Sequence, residues 1–316
     1  MIFGITKNRP LLLALLFGLA GLALAAAGCN ESPSAGDSKA APPTLALAAQ
    51  DTAPAAGEKK ATATTEHTAA ESDVDMKALQ KEFEANLDAW DAGKSFDFKT
   101  VTDGLRKSLA AGLDVQNYSI TRTAARILEM IGSYDQARQL YTALDAAGAK
   151  AGETDMAASA RDVAKSGLTR LDWLGKAPKI EGAIFGGEKF DWSKYKGKVV
   201  LLDFWATWCG PCLRELPNVK ANFEKYHDRG FDVVGISLDD DSKALADFLQ
   251  KEKLAWPTLF EPDSEKRGFD VPLVKTFGVD GIPATFLLDR SGKVAAISVR
   301  GEELGKQIEK LLAEKK

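Results

Sequence analysis

Residues 199–212 read VVLLDFWATWCGPC, and no other stretch of the 316-residue chain narrows its fold as much. The apolar run is short and nearly continuous, as in a central strand covered on both faces. Two cysteines follow, separated by Gly210 and Pro211. Proline suits the first turn of a helix, where no backbone N–H is needed, and glycine lets the preceding loop turn tightly. Leu213, Leu216, Val219, Phe223 and Tyr226 then recur at helical spacing. A strand, a loop and a helix in this order place Cys209 at a helix N-terminus. The unpaired N–H groups and the helix dipole there favour an anion such as a thiolate. Cys209 is therefore expected to have a depressed pKa and to be the attacking sulfur. Cys212, one turn inside the helix, is placed to displace a partner from a mixed disulfide on Cys209.

Other chemistries use closely spaced cysteines. A zinc site needs two more ligands, and the chain offers only Cys29, His67 and His227. A purely structural disulfide suits an oxidising compartment, but closing a two-residue loop gains little entropy. A peroxide-cleaving cysteine of the peroxiredoxin pattern would have threonine three residues before it. Ala206 stands there, and Thr207 is one place too late.

The chain begins with a different kind of segment. Lys7 and Arg9 precede an apolar run from Leu11 to Ala27, the layout of a signal peptide over residues 1–28. "LAAAGC" resembles a bacterial lipobox, with Ala26 where leucine is usual, and implies lipid attachment at Cys29. An uncleaved membrane anchor is the alternative reading of the apolar run. Residues 29–74 read as a disordered tether. Of positions 31–70, 28 are Ala, Pro, Ser, Thr or Gly, too little apolar surface to offset the ordering entropy.

From residue 75 to 174 the pattern is helical, with Met76, Leu79, Phe83, Leu87 and Trp90 setting the first face. About five helices are expected, stopping near Gly93, Gly112, Gly132 and Gly148. "GSYDQARQLYTALDAAG" (132–148) is similar to a tetratricopeptide helix, but no second clear copy exists, and a small bundle is the simpler reading. Residues 175–316 alternate strands and helices: "FDVVGIS" (231–237), a helix over 242–252, "ATFLLD" and "KVAAISV" flanking a hairpin turn, and a last helix over 302–313. The expected architecture is a separate all-α domain followed by a mixed α/β sandwich. With 41 basic and 45 acidic residues, and no long block of like charge, nothing suggests nucleic-acid binding.

"GKVVLLDFWATWCGPCLRELP" together with "GVDGIPATFLLDRSGKV" resembles the TlpA/ResA family of thioredoxin-fold, extracytoplasmic thiol-disulfide oxidoreductases. The resemblance covers most of residues 177–316. It implies a thioredoxin fold with a central mixed sheet, no cofactor, no metal, and Cys209 and Cys212 as the redox dithiol. Pro283 matches the family's cis-proline after Ile282, a segment where an extended substrate pairs, with Trp208, Gly210 and Pro211 on the same contact surface. Asp203 matches thioredoxin's buried aspartate, six residues before the first cysteine, and an acid at the end of an apolar strand is expected to have a raised pKa. Many TlpA/ResA relatives lack an acid there, so Asp203 points towards thioredoxin itself. Glu215 matches an acid that follows the second cysteine in ResA-like proteins. Simpler roles exist for both: a capping or surface acid for Asp203, a favourable helix N-terminal charge for Glu215.

The resemblance implies a lipid-anchored protein on the periplasmic side of a bacterial membrane, reducing disulfides of envelope proteins such as an apocytochrome c or another oxidoreductase. Gly210-Pro211, Ile282 and Asp203 all match thioredoxin, which favours a reducing potential. In an oxidising compartment that implies a membrane thiol donor of the CcdA/DsbD kind. The alternatives are a disulfide-forming oxidase, or a binding protein in which the helical domain captures a partner and the thioredoxin domain is scaffold.

Overall fold

The computed structural model describes residues 74–314. The leader, Cys29 and nearly all of the tether lie outside the described residues.

Five helices come first: α1 (Met76–Asp91), α2 (Lys99–Ala111), α3 (Val115–Met130), α4 (Tyr134–Lys150) and α5 (Asp155–Asp172). Their starts follow from side chains that satisfy orphan N–H groups. Asp75 caps α1, Asp114 and Asn117 form a reciprocal capping box on α3, and Thr154 caps α5. Three of the four glycines expected to end helices lie just beyond one. Gly148 does not: it is inside α4, and its missing side chain lets α5 approach, since a Cβ there would lie 2.9 Å from the Ala157 carbonyl oxygen. The glycine serves close helix packing rather than termination.

The remainder contains β1 (Val199–Trp205), α6 (Gly210–Tyr226), β2 (Phe231–Ser237), α7 (Ser242–Glu252), β3 (Thr258–Leu259), α8 (Pro272–Phe277), β4 (Ala284–Leu288), β5 (Val294–Ile297) and α9 (Gly301–Ala313). The sheet order is β3-β2-β1-β4-β5. The pairs β1–β2 and β2–β3 are parallel, while β1–β4 and β4–β5 are antiparallel. This is the thioredoxin fold. Strand β3 has only two residues, too short for any alternation to mark it in the sequence.

Alternation along β1 divides the core. Val199 and Leu201 face α6 and α9, packing with Val219, Phe223, Leu304 and Ile308. Val200, Leu202 and Phe204 face the opposite side, where one apolar core continues through Phe277 and Phe286 into Leu171, Tyr141 and Leu128 of the helical part. Trp173, just after α5, stacks on Phe277 with ring centroids 5.0 Å apart, and its indole N–H donates to the Thr276 carbonyl at 3.0 Å. The helical part thus covers one face of the sheet.

Candidate active site

Cys209 caps α6 and Pro211 occupies its first turn. The two cysteines form a disulfide. The Cys212 N–H points at Cys209 Sγ, 3.2 Å away, so a thiolate on Cys209 would accept the N–H of the third helical residue as well as sit at the helix's positive end. Both sulfurs are recessed, with Cys209 4% and Cys212 6% exposed, while neighbouring Trp208 is 56% exposed. Gly210 and Pro211 are exposed beside it. Trp205 turns inward against Phe248, with ring centroids 5.2 Å apart.

The peptide bond Ile282-Pro283 is cis, immediately before β4, which pairs with β1. Ile282 is half-buried and packs against the core that includes both cysteines.

Asp203 lies in β1 opposite Thr285 of β4 and is half-buried. Protein crowds its carboxyl closely enough that burial pushes its pKa up to about 7 even though part of the residue reaches solvent. The Glu215 carboxylate adds to this rise, and the Arg300 guanidinium opposes it. Glu215 belongs to the cysteine-bearing helix. Its Oε1 accepts the Gly301 N–H at 2.8 Å and the Asn218 amide at 2.7 Å, tying α6 to the start of α9.

The site also depends on residues that the sequence did not single out. Asp239, 1% exposed, accepts the Thr207 N–H at 3.0 Å, the Thr207 hydroxyl at 2.6 Å and the Ser237 hydroxyl at 2.8 Å. These bonds fix the loop two residues before Cys209. Asp239 stands in a run of three aspartates, so nothing in the sequence distinguished it. Arg300 is a second such residue. Burial and the Arg126 charge push its pKa down, while Glu215, Asp203 and Glu129 oppose the shift. Its Nε is buried without a hydrogen-bond partner among the described residues. No group of three or more His, Cys, Asp or Glu suited to a metal ion is found among the described residues.

A recessed cysteine pair at a helix N-terminus, with an acid of raised pKa in the same sheet, is suited, as the dithiol, to two-electron exchange with another disulfide. Comparison with known proteins agrees. Residues 175–312 match the Redoxin family. The thiol-disulfide oxidoreductase ResA of Bacillus thuringiensis subsp. konkukian is 32% identical over 140 residues, covering 44% of this chain and 76% of that protein. ResA of Bacillus anthracis is 31% identical over 137 residues, covering 43% and 75%. Among solved structures, the thioredoxin domain of a thiol-disulfide oxidoreductase from Bacteroides vulgatus is 28% identical, with a TM-score of 0.40, covering 44% of this chain and 97% of that one. The cysteine loop and the strand leading into it fall within the matched region, and the chain belongs to the ResA-like thiol-disulfide oxidoreductases of the Redoxin family.

Proposed function

We propose that this oxidoreductase works as a reductase, through Cys209 and Cys212, on disulfide-bearing proteins of the bacterial envelope, an apocytochrome c or another oxidoreductase among them. The observation that carries the assignment of Cys209 as the attacking sulfur is the Cys212 N–H directed at Cys209 Sγ at the start of α6. That contact favours negative charge on Cys209 rather than Cys212. In the reduced protein the Cys209 thiolate attacks one substrate sulfur, forming a mixed disulfide and releasing the other substrate sulfur as a thiolate. Cys212 gives its proton to the Asp203 carboxylate and attacks Cys209 Sγ. The second substrate thiolate leaves, and the two substrate sulfurs take up two protons, one returned by Asp203 and one from solvent. The substrate gains two electrons and the protein ends as the Cys209–Cys212 disulfide.

The direction rests on the charges around the pair. A more stable thiolate makes a protein more oxidising. Here the Asp203 and Glu215 carboxylates work against such stabilisation. Turnover then needs a membrane thiol donor of the CcdA/DsbD kind. Cys29, lipidated, would hold the protein on the periplasmic side of a membrane, and among the described residues no helix is long and apolar enough to cross one.

Two measurements test the reading. The protein should reduce insulin disulfides, with Cys209→Ser abolishing exchange and Cys212→Ser leaving long-lived mixed disulfides. Equilibration in glutathione buffers should give a potential nearer thioredoxin's, about -270 mV, than DsbA's, about -120 mV. A value near the latter would make the protein an oxidase.

A further inference from the structure

The segment that leads into the cis-proline, Gly278 to Ile282, is gripped from the helical part. Gly278, with φ +66°, lies so close to α5 that a Cβ would meet the Ser166 carbonyl oxygen at 2.6 Å and Thr169 Cβ at 2.7 Å. From the same helix Arg170 Nη1 donates to the Gly278 carbonyl at 2.6 Å and to Asp280 Oδ1 at 2.7 Å. Arg126 of α3 donates to that same Asp280 oxygen at 2.6 Å, and its Nη2 would lie 3.5 Å from a Cβ on Gly281.

Both arginines are themselves anchored. Arg170 is 1% exposed and pairs through Nη2 and Nε with Glu129, which is fully buried, at 3.0 and 3.2 Å. Glu129 also accepts from the Tyr141 hydroxyl at 2.8 Å and from the Ser298 hydroxyl at 2.9 Å. Burial alone would raise the Glu129 pKa, but the Arg170 and Arg126 charges, with hydrogen bonds from Arg170 and Tyr141, hold it below the usual carboxylate value. A fully buried pair of this kind is a costly way to add stability alone, since apolar residues of similar volume often do as well. What the pair adds is a fixed guanidinium that reaches across to one turn of chain.

We propose that Arg126 and Arg170 are positioning residues for disulfide exchange. By holding Asp280 and the Gly278 carbonyl, they fix the 278–283 segment on which the substrate chain pairs. The proposal rests on the reading that substrate docks at Ile282-Pro283 beside Cys209. It assigns the helical part a role inside the active site, through backbone geometry rather than through capture of a partner at a distance. A displaced docking edge pairs less well with the extended substrate segment, so the loss appears in substrate binding more than in the sulfur chemistry.

The test uses the full chain and four variants. Asp280→Ala removes the shared anchor. Asp280→Asn keeps an acceptor oxygen in place. Arg126→Met removes one grip at a half-exposed residue and guards against misfolding of the alanine variant. Tyr134→Phe is the stability control: it deletes the acceptor of the Ile297 N–H at 3.1 Å, across the same interface but away from the segment. Asp280→Ala should speed hydrogen exchange in residues 278–284 on the order of tenfold, and Tyr134→Phe should not. With insulin as substrate, Asp280→Ala and Arg126→Met should raise KM on the order of tenfold, with kcat held within about threefold, and Asp280→Asn should recover part of the loss. The proposal is overturned if exchange in the segment does not change, or if Tyr134→Phe raises KM as much as Asp280→Ala. Failure of the wild-type chain to reduce insulin would remove the functional reading instead, and hydrogen exchange would still decide whether the arginines hold the segment.

Discussion

Replacing Asp203 with asparagine isolates the most perturbed carboxyl of the site. The substitution keeps the shape and removes the charge. Moving an acid from 3.8 to about 7 costs its ionised form about 4 kcal/mol. Asp203 is only half-buried, so solvent screening reduces this, and about 2 kcal/mol is expected. The sign follows from linkage. A carboxyl with a raised folded pKa binds more protons folded than unfolded between about pH 4 and pH 7, so wild-type stability falls as pH rises through that window. Above it the folded chain carries the full cost of a crowded charge. Asp203→Asn should therefore match wild type near pH 4 and exceed it by about 2 kcal/mol at pH 8. Urea unfolding of the oxidised proteins across this range measures it. Because asparagine cannot take a proton from Cys212, the same variant should resolve mixed disulfides on the order of a hundredfold more slowly. A stability difference independent of pH, or a variant less stable than wild type at pH 8, would refute the argument that burial and Glu215 set this carboxyl.

Two further outcomes can be checked simply. Arg170→Met strands the fully buried Glu129 and should cost about 3 to 5 kcal/mol in denaturant unfolding, with much of it recovered when Glu129→Leu is added; a cost below about 1 kcal/mol would contradict the burial of this pair. Mass spectrometry of membrane-extracted protein should find Cys29 lipidated and N-terminal, and an unmodified Cys29 would exclude the proposed anchor.

The thioredoxin half was legible because its signals are local. The apolar run before the cysteines became β1, and the strands and helices around β2, α7 and β4 appear within a residue or so of where alternation and spacing put them. Cysteines, proline and the strand acid likewise announce themselves in short motifs. What stayed hidden are the long-range polar contacts. Arg170 meets Glu129 across 41 positions and Asp280 across 110, and each reads alone as one more charge on a solvated face. Gly148 reads as a stop because glycine at a helix end and glycine under a crossing helix look alike in sequence. Only the close approach of α5 separates the two.

The helical part and the carboxyl pair meet in one stretch of chain. Ser298 donates to Glu129 of α3. The Val299 carbonyl accepts the hydroxyl of Thr285, the residue opposite Asp203, at 2.9 Å. The Gly301 N–H is held by Glu215 of the cysteine helix. Arg300 lies in the same stretch, where the Glu215, Asp203 and Glu129 carboxylates favour its charge and Arg126 opposes it. The guanidinium that lowers the proton affinity of Asp203 therefore sits in a stretch of chain that the helical part holds at Ser298. A fragment limited to residues 175–316 loses Arg126, Glu129 and Arg170 together. It would lose the Asp280 anchor and the Ser298 contact beside Arg300 in one step, even where the sheet and both cysteines are intact.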